Sequence, residues 1–165
     1  MRRIVILCVS AVLAACEPPA QADPLADSRA PAAAGFEVLA EGTTGEPGCV
    51  ARHDDRLIRT PTDLAAYWGQ VHRNPVPPLP AVDFSRRSVL ATCGYRPDPG
   101  HSSAIEAVQP VAGQPGAVTV SVTDTEPGAG CAYPTVIVHG HHAVIVDGVV
   151  DSAAFVHTAV QGPPC

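Results

Sequence analysis

Positive charge is in short supply. The 165-residue chain contains no lysine, and its ten basic residues, all arginine, face sixteen Asp and Glu for a formal net charge of −6. Phosphate recognition needs a basic footprint, so nucleic acid is not an expected partner. Polybasic adhesion to an anionic membrane is excluded on the same ground. No apolar run reaches the roughly 20 residues that a spanning helix needs. Cys-x-x-Cys spacing is absent, which argues against zinc-ribbon or thioredoxin-type chemistry. The chain also has no Gly-x-Ser-x-Gly elbow, no phosphate-cradling glycine loop and no internal repeat. An enzyme is therefore not expected, and neither is a cofactor. Abundant Ala, Val and Pro without lysine looks like the product of a GC-rich genome and carries no mechanism.

What is present begins at the N-terminus. Arg2 and Arg3 supply charge, and Ile4 to Val12 form an apolar core interrupted by Ser10. Leu13-Ala14-Ala15 then places small residues before Cys16. This is the three-part pattern of a cleaved export signal. Its last four residues resemble the bacterial lipobox, in which the cysteine becomes the lipid-bearing first residue of the mature protein. The expectation is a lipoprotein signal peptide over 1–15 and lipidation at Cys16, anchored by two or more acyl chains. The alternative is an ordinary signal cut after Ala15 or Ala22. Loss of Arg2 and Arg3 takes the net charge from −6 to −8. Glu17 is not the aspartate that holds lipoproteins at the inner membrane of enteric-type bacteria, so the expected location is the cell envelope, with the outer membrane favoured.

Residues 16–35, rich in Pro and Ala, read as a flexible tether, and residues 36–165 as a single β-rich domain. The remaining cysteines, Cys49, Cys93, Cys131 and Cys165, are disulfide candidates in an exported domain. Three pairings are possible, and Cys93–Cys131 with Cys49–Cys165 is the one expected. Extended segments are expected at Phe36–Ala40, Val50–Arg59, Ser88–Tyr95, Ala104–Val111, Ala117–Thr125 and Tyr133–His139. Val118, Val120 and Val122 alternate with Thr119, Ser121 and Thr123, the period of a strand buried on one face. Asp147-Gly148 suits a two-residue hairpin turn between Ala143–Val146 and Val149–Val150. Thr60-Pro61-Thr62-Asp63 is a helix start, and Leu64, Tyr67, Trp68 and Val71 form one apolar stripe running to a stop at Asn74-Pro75. Trp68, the only tryptophan, is expected to anchor the core. The fold class is α+β: a mostly antiparallel sheet with one amphipathic helix packed on it.

Candidate chemistry is sparse. His139, His141 and His142 would suit zinc or copper if the strand continued through Gly140, with His101, His157 or an acid completing the set. The expectation is instead that Gly140 breaks the strand, leaving an exposed polar turn and no metal. Asp54 and Asp55 beside His53 point to opposite faces of a strand, so they do not converge on one atom and read as a solvated bend. Ser102-Ser103 beside His101 has no oxyanion geometry around it.

One resemblance covers most of the domain. Leu57-Ile58-Arg59-Thr60 leads into the Asp63–Trp68 segment, followed by Pro77-Pro78, Val82-Asp83-Phe84-Ser85, Ser88-Val89-Leu90-Ala91 and Gly94-Tyr95-Arg96-Pro97. A strand from Ser103-Ala104-Ile105-Glu106, Thr125-Glu126-Pro127-Gly128, Cys131 and Tyr133-Pro134 complete the order. This resembles the C-terminal domain of PrcB, an accessory subunit that stabilises a secreted protease complex, over about residues 36–146. The resemblance implies a non-catalytic, extracytoplasmic role in binding or stabilising another exported protein, with a protease as one candidate partner. It also implies a partner-binding loop containing Arg96, Pro97, Gly100 and His101. That loop departs from the family, which continues Arg-Pro with Thr-Gly-Gly-Tyr where this chain has Asp98-Pro99-Gly100-His101. Two alternatives stay open: a protease inhibitor acting through loops between strands, and a metal-binding envelope protein using its histidines.

Overall fold

A computed structural model of the chain describes residues 35–45, 48–73 and 75–165. The export signal, Cys16, the tether up to residue 34, and Asn74 lie outside the described residues.

The described residues form seven strands and one helix: β1 (Phe36–Thr44), β2 (Asp54–Ile58), α1 (Pro61–Val71), β3 (Arg87–Arg96), β4 (Ser102–Pro110), β5 (Ala117–Glu126), β6 (Val138–Asp147) and β7 (Ser152–Gln161). Where one sheet was expected there are two. The first has the order β1-β6-β3-β2 and is antiparallel throughout; the second has the order β4-β5-β7, with β4–β5 antiparallel and β5–β7 parallel.

The layers follow from side-chain alternation. On β3 and β6, Val89, Ala91, Cys93, Ala143 and Ile145 join Leu64, Tyr67 and Val71 of α1 in one core cluster. Leu90, Val144 and Val146 face the other way and meet Ile105, Val108, Val118, Val120 and Val122 of the second sheet. The first sheet is thus a middle layer, with the helix on one face and the second sheet on the other. Ser88 to Gly94 are consequently buried without interruption, because a strand covered on both faces has no solvent side to mark with polar residues. The helix start is capped as expected. Thr60 Oγ1 accepts from the Asp63 amide at 3.1 Å and donates to Asp63 Oδ2 at 2.7 Å, with Pro61 in the first turn. Trp68 is buried, and its indole N–H donates to the Pro77 carbonyl at 2.9 Å.

Four local expectations need correction. The segment expected as a strand over Tyr133–His139 is irregular up to Ile137; Pro134 within it has no amide to give to a ladder. Gly140 does not break β6 but pairs with Thr43 on one side and Gly94 on the other, so two ladders hold it in place. His141 and His142 are accordingly buried strand residues, not an exposed turn. Asp147-Gly148 does not close a hairpin. Ser88 Oγ takes the Val150 amide at 2.9 Å and donates to the Gly148 carbonyl at 3.3 Å, while Val150 buries in the second core. That steers the chain into the other sheet, where β7, unforeseen in the tail, runs parallel to β5. Lastly, the disulfides are Cys49–Cys93 and Cys131–Cys165. Cys93 points into the core beneath α1, where only Cys49 reaches it, whereas Cys131 lies in the 131–137 loop beside the chain's end.

Candidate functional site

The residues with chemistry converge at one end of the layers, where the ends of β3 and β5 meet the starts of β2 and β4 and the middle of β7. The cleft there has a volume of about 280 Å³ and is walled by His53, Tyr95, Arg96, His101, Asp124 and Glu126 among others. A wider cleft of about 430 Å³ at the other end of β5, around Val108, Val118, Val146 and Val150, has Asp147 as the sole titratable side chain of its lining.

Asp124 is the hub of the polar end. It sits on β5 in phase with Val118, Val120 and Val122, so the strand period aims a carboxylate at the inside. Its Oδ1 accepts from Arg96 Nη2 at 3.1 Å and from Ser103 Oγ. Its Oδ2 lies 2.9 Å from His157 Nδ1 and 3.8 Å from His53 Nδ1. The other ring nitrogen of His157 reaches Asp55 Oδ2 at 3.0 Å. Burial pushes Asp124 up, but the hydrogen bonds from Ser103 and His157 and the charges of His157 and Arg96 outweigh it, and the net displacement is downward. His53 is pulled below the ordinary histidine value by burial first and by His157 second, against the attraction of Asp124.

Arg96, expected among the partner contacts, is 5 % exposed. Its guanidinium donates to the Arg52 carbonyl at 2.6 Å and to Ser103 Oγ besides Asp124. It therefore braces the start of the loop from within. Gly94 makes room for this arrangement: a Cβ there would stand 1.9 Å from the Arg52 carbonyl oxygen. The rest of the expected loop is outside. Pro97 and Pro99 are exposed, the Gly100 amide and His101 Nδ1 both bond Asp98 Oδ1 at 2.9 Å, and Gly100 comes so near the Tyr133 ring that a Cβ there would stand 2.4 Å from Cε2. Tyr133 belongs to the segment tied down by Cys131–Cys165, so the loop is braced at both ends.

The three histidines weighed as a metal set, His139, His141 and His142, are not brought together. His139 Nδ1 contacts the Cys49 carbonyl at 2.9 Å, and His142 Nδ1 accepts from the Ile105 amide at 3.1 Å on the opposite face. His141 stands edge-on to His72 on the helix side. Asp54 and Asp55 do diverge: Asp54 holds Arg56 and Gln70, while Asp55 holds His157. Neither lies in a solvated bend, since both are strand residues. Ser103 Oγ donates to the Asp124 carboxylate and accepts from Arg96 Nη2, while His101, its neighbour in sequence, turns to Asp98 instead. Asp124 escaped the sequence reading, although an acid continuing the buried phase of an otherwise valine-lined strand was the available signal.

Comparison of the chain with protein-family models, with curated proteins and with solved structures gives no match.

Proposed function

We propose that this chain is a non-catalytic, lipid-anchored envelope protein whose domain binds or stabilises another exported protein, a protease being the first candidate. The observation that carries this reading is the braced loop end. Tyr95 and Tyr133, 41 % and 44 % exposed, flank Pro97 and Pro99 on a backbone fixed by the buried Arg96, the Asp98 hydrogen bonds and the Cys131–Cys165 bridge. Rigid aromatic and proline surface binds with little ordering cost. Attachment through Cys16 is supported by the Leu13–Cys16 motif and would keep the domain near the membrane.

Crosslinking of the intact protein in its own envelope, followed by mass spectrometry, tests the reading. Replacing residues 97–102 by Gly-Ser repeats should abolish a specific crosslinked partner that the parent chain captures. An unchanged partner set would sink the loop assignment. The same proline-rich loop also fits a protease inhibitor, and an activity assay on the captured protease separates the two. A stabiliser leaves activity intact or raises it, and an inhibitor abolishes it. A Cys16→Ala chain that is released from the membrane yet complements fully would remove the anchor from the function.

A further inference from the structure

We infer that His53, Asp124 and His157 form a binding site for a divalent transition metal, zinc being the ion their donors suit best. The site does not depend on the partner-binding reading above. It rests on the convergence of three side chains from separate parts of the chain: His53 just before β2, Asp124 on β5 and His157 on β7.

One ligand atom from each lies within 4.8 Å of the other two. His157 Nδ1 and His53 Nδ1 stand 2.9 Å and 3.8 Å from the same oxygen, Asp124 Oδ2. Tetrahedral zinc with bonds of about 2.0–2.1 Å sets its ligands roughly 3.3 Å apart, between those two spacings. The two imidazole nitrogens lie within 4.8 Å of each other, so side-chain shifts of about an ångström bring all three to bonding distance. Two imidazoles and a carboxylate are a zinc donor set.

The surroundings are organised as a metal's outer shell is. Asp55 holds His157 Nε2 at 3.0 Å, the carboxylate–histidine pairing that orients the ring and offers its other nitrogen to an ion. Asp124 Oδ1 is occupied by Arg96 and Ser103, which leaves Oδ2 as the inward donor. A carboxylate only accepts, so a cation between His157 Nδ1 and Asp124 Oδ2 replaces the proton that otherwise joins them. The carboxylates of Asp55, Asp124 and Glu126 outnumber the guanidinium groups of Arg52 and Arg96 and make the formal charge of the pocket negative. His53 lies at the rim of the cleft with 32 % of its side chain exposed. An ion held there would keep a fourth position for water or for a donor from the bound partner. Cys49, Asp54 and Cys93 also lie close together, but their sulfurs are joined in a disulfide and offer no thiolate.

The test uses the untagged chain with disulfides intact, stripped with EDTA and titrated with zinc chloride by calorimetry. The expected result is one ion per chain, with cobalt(II) giving the intense visible bands of a tetrahedral site. His53→Ala, at an exposed position and so expected to keep the fold by circular dichroism, should weaken zinc binding by at least about 100-fold. Asp55→Asn should weaken it by about 10- to 100-fold, as loss of an outer carboxylate does. His101→Gln, in the same cleft but held to Asp98, should leave it unchanged. No stoichiometric binding, or binding that His53→Ala leaves intact, overturns the site.

Discussion

Replacing His141 by leucine should remove much of this protein's sensitivity to mild acid. His141 lies on β6 beneath α1, 8 % exposed, with its ring 5.1 Å from that of His72. Among the described residues neither of its ring nitrogens has a hydrogen-bond partner. Burial first, and then the neighbouring His72 and His142, push it from the ordinary 6.5 down to about 4. The sign follows from which state holds the proton. Above pH 6.5 the ring is neutral in both states and contributes nothing. As the pH falls below 6.5 the unfolded chain takes up a proton that the folded chain refuses, so stability falls until the folded ring titrates near 4. At about 1.4 kcal/mol per pH unit, the span from 6.5 to about 4 amounts to about 3 kcal/mol. His53, His72 and His142 are also held low by burial and add slope of the same sign. Asp54 and Asp124, held below the ordinary carboxylate value of 3.8, act below that window. The difference between parent and His141→Leu therefore isolates the one ring. Urea unfolding followed by circular dichroism from pH 7.5 to 4 should show the variant gaining about 3 kcal/mol on the parent across the window. Parallel curves would refute the account of His141 as a buried neutral imidazole.

Two further perturbations test the framework around the site. Removing the Cys49–Cys93 bridge, which spans 44 residues, by a double Cys→Ser change should cost about 4 kcal/mol in the chain-entropy model, read as a lower urea midpoint, and a non-reducing peptide map should recover Cys49 with Cys93 and Cys131 with Cys165. Arg96→Met leaves Asp124 without its buried cation and should cost about 3–5 kcal/mol. Adding Asp124→Asn should return part of that loss, and strictly additive effects in this double-mutant cycle would mean that the pair is not coupled.

Local elements were legible wherever a local rule governs them. The Thr60–Asp63 cap, the Leu64–Val71 stripe and the Val118–Val122 alternation each place their residues by period alone. Elements failed where a distant neighbour overrules the local rule. Gly140 reads as a breaker, yet two flanking ladders keep it in β6. Asp147-Gly148 reads as a hairpin, yet burial of Val150 and the Ser88 hydroxyl send the chain across to the second sheet. The disulfides were misassigned for the same reason, since which cysteine lies beneath the helix depends on layer order and not on spacing.

By itself the sequence determined the helix and its cap, the mostly β character and the presence of disulfide-forming cysteines. The tertiary structure alone decided that there are two sheets and that β7 joins β5 in parallel. It turned Arg96 inward and brought His53, Asp124 and His157 to within 4.8 Å of one another. The reason is physical. Periodicity and capping are interactions between residues a few positions apart, whereas a site assembled from two strands and the residue leading into a third exists only once the core has set their order and register.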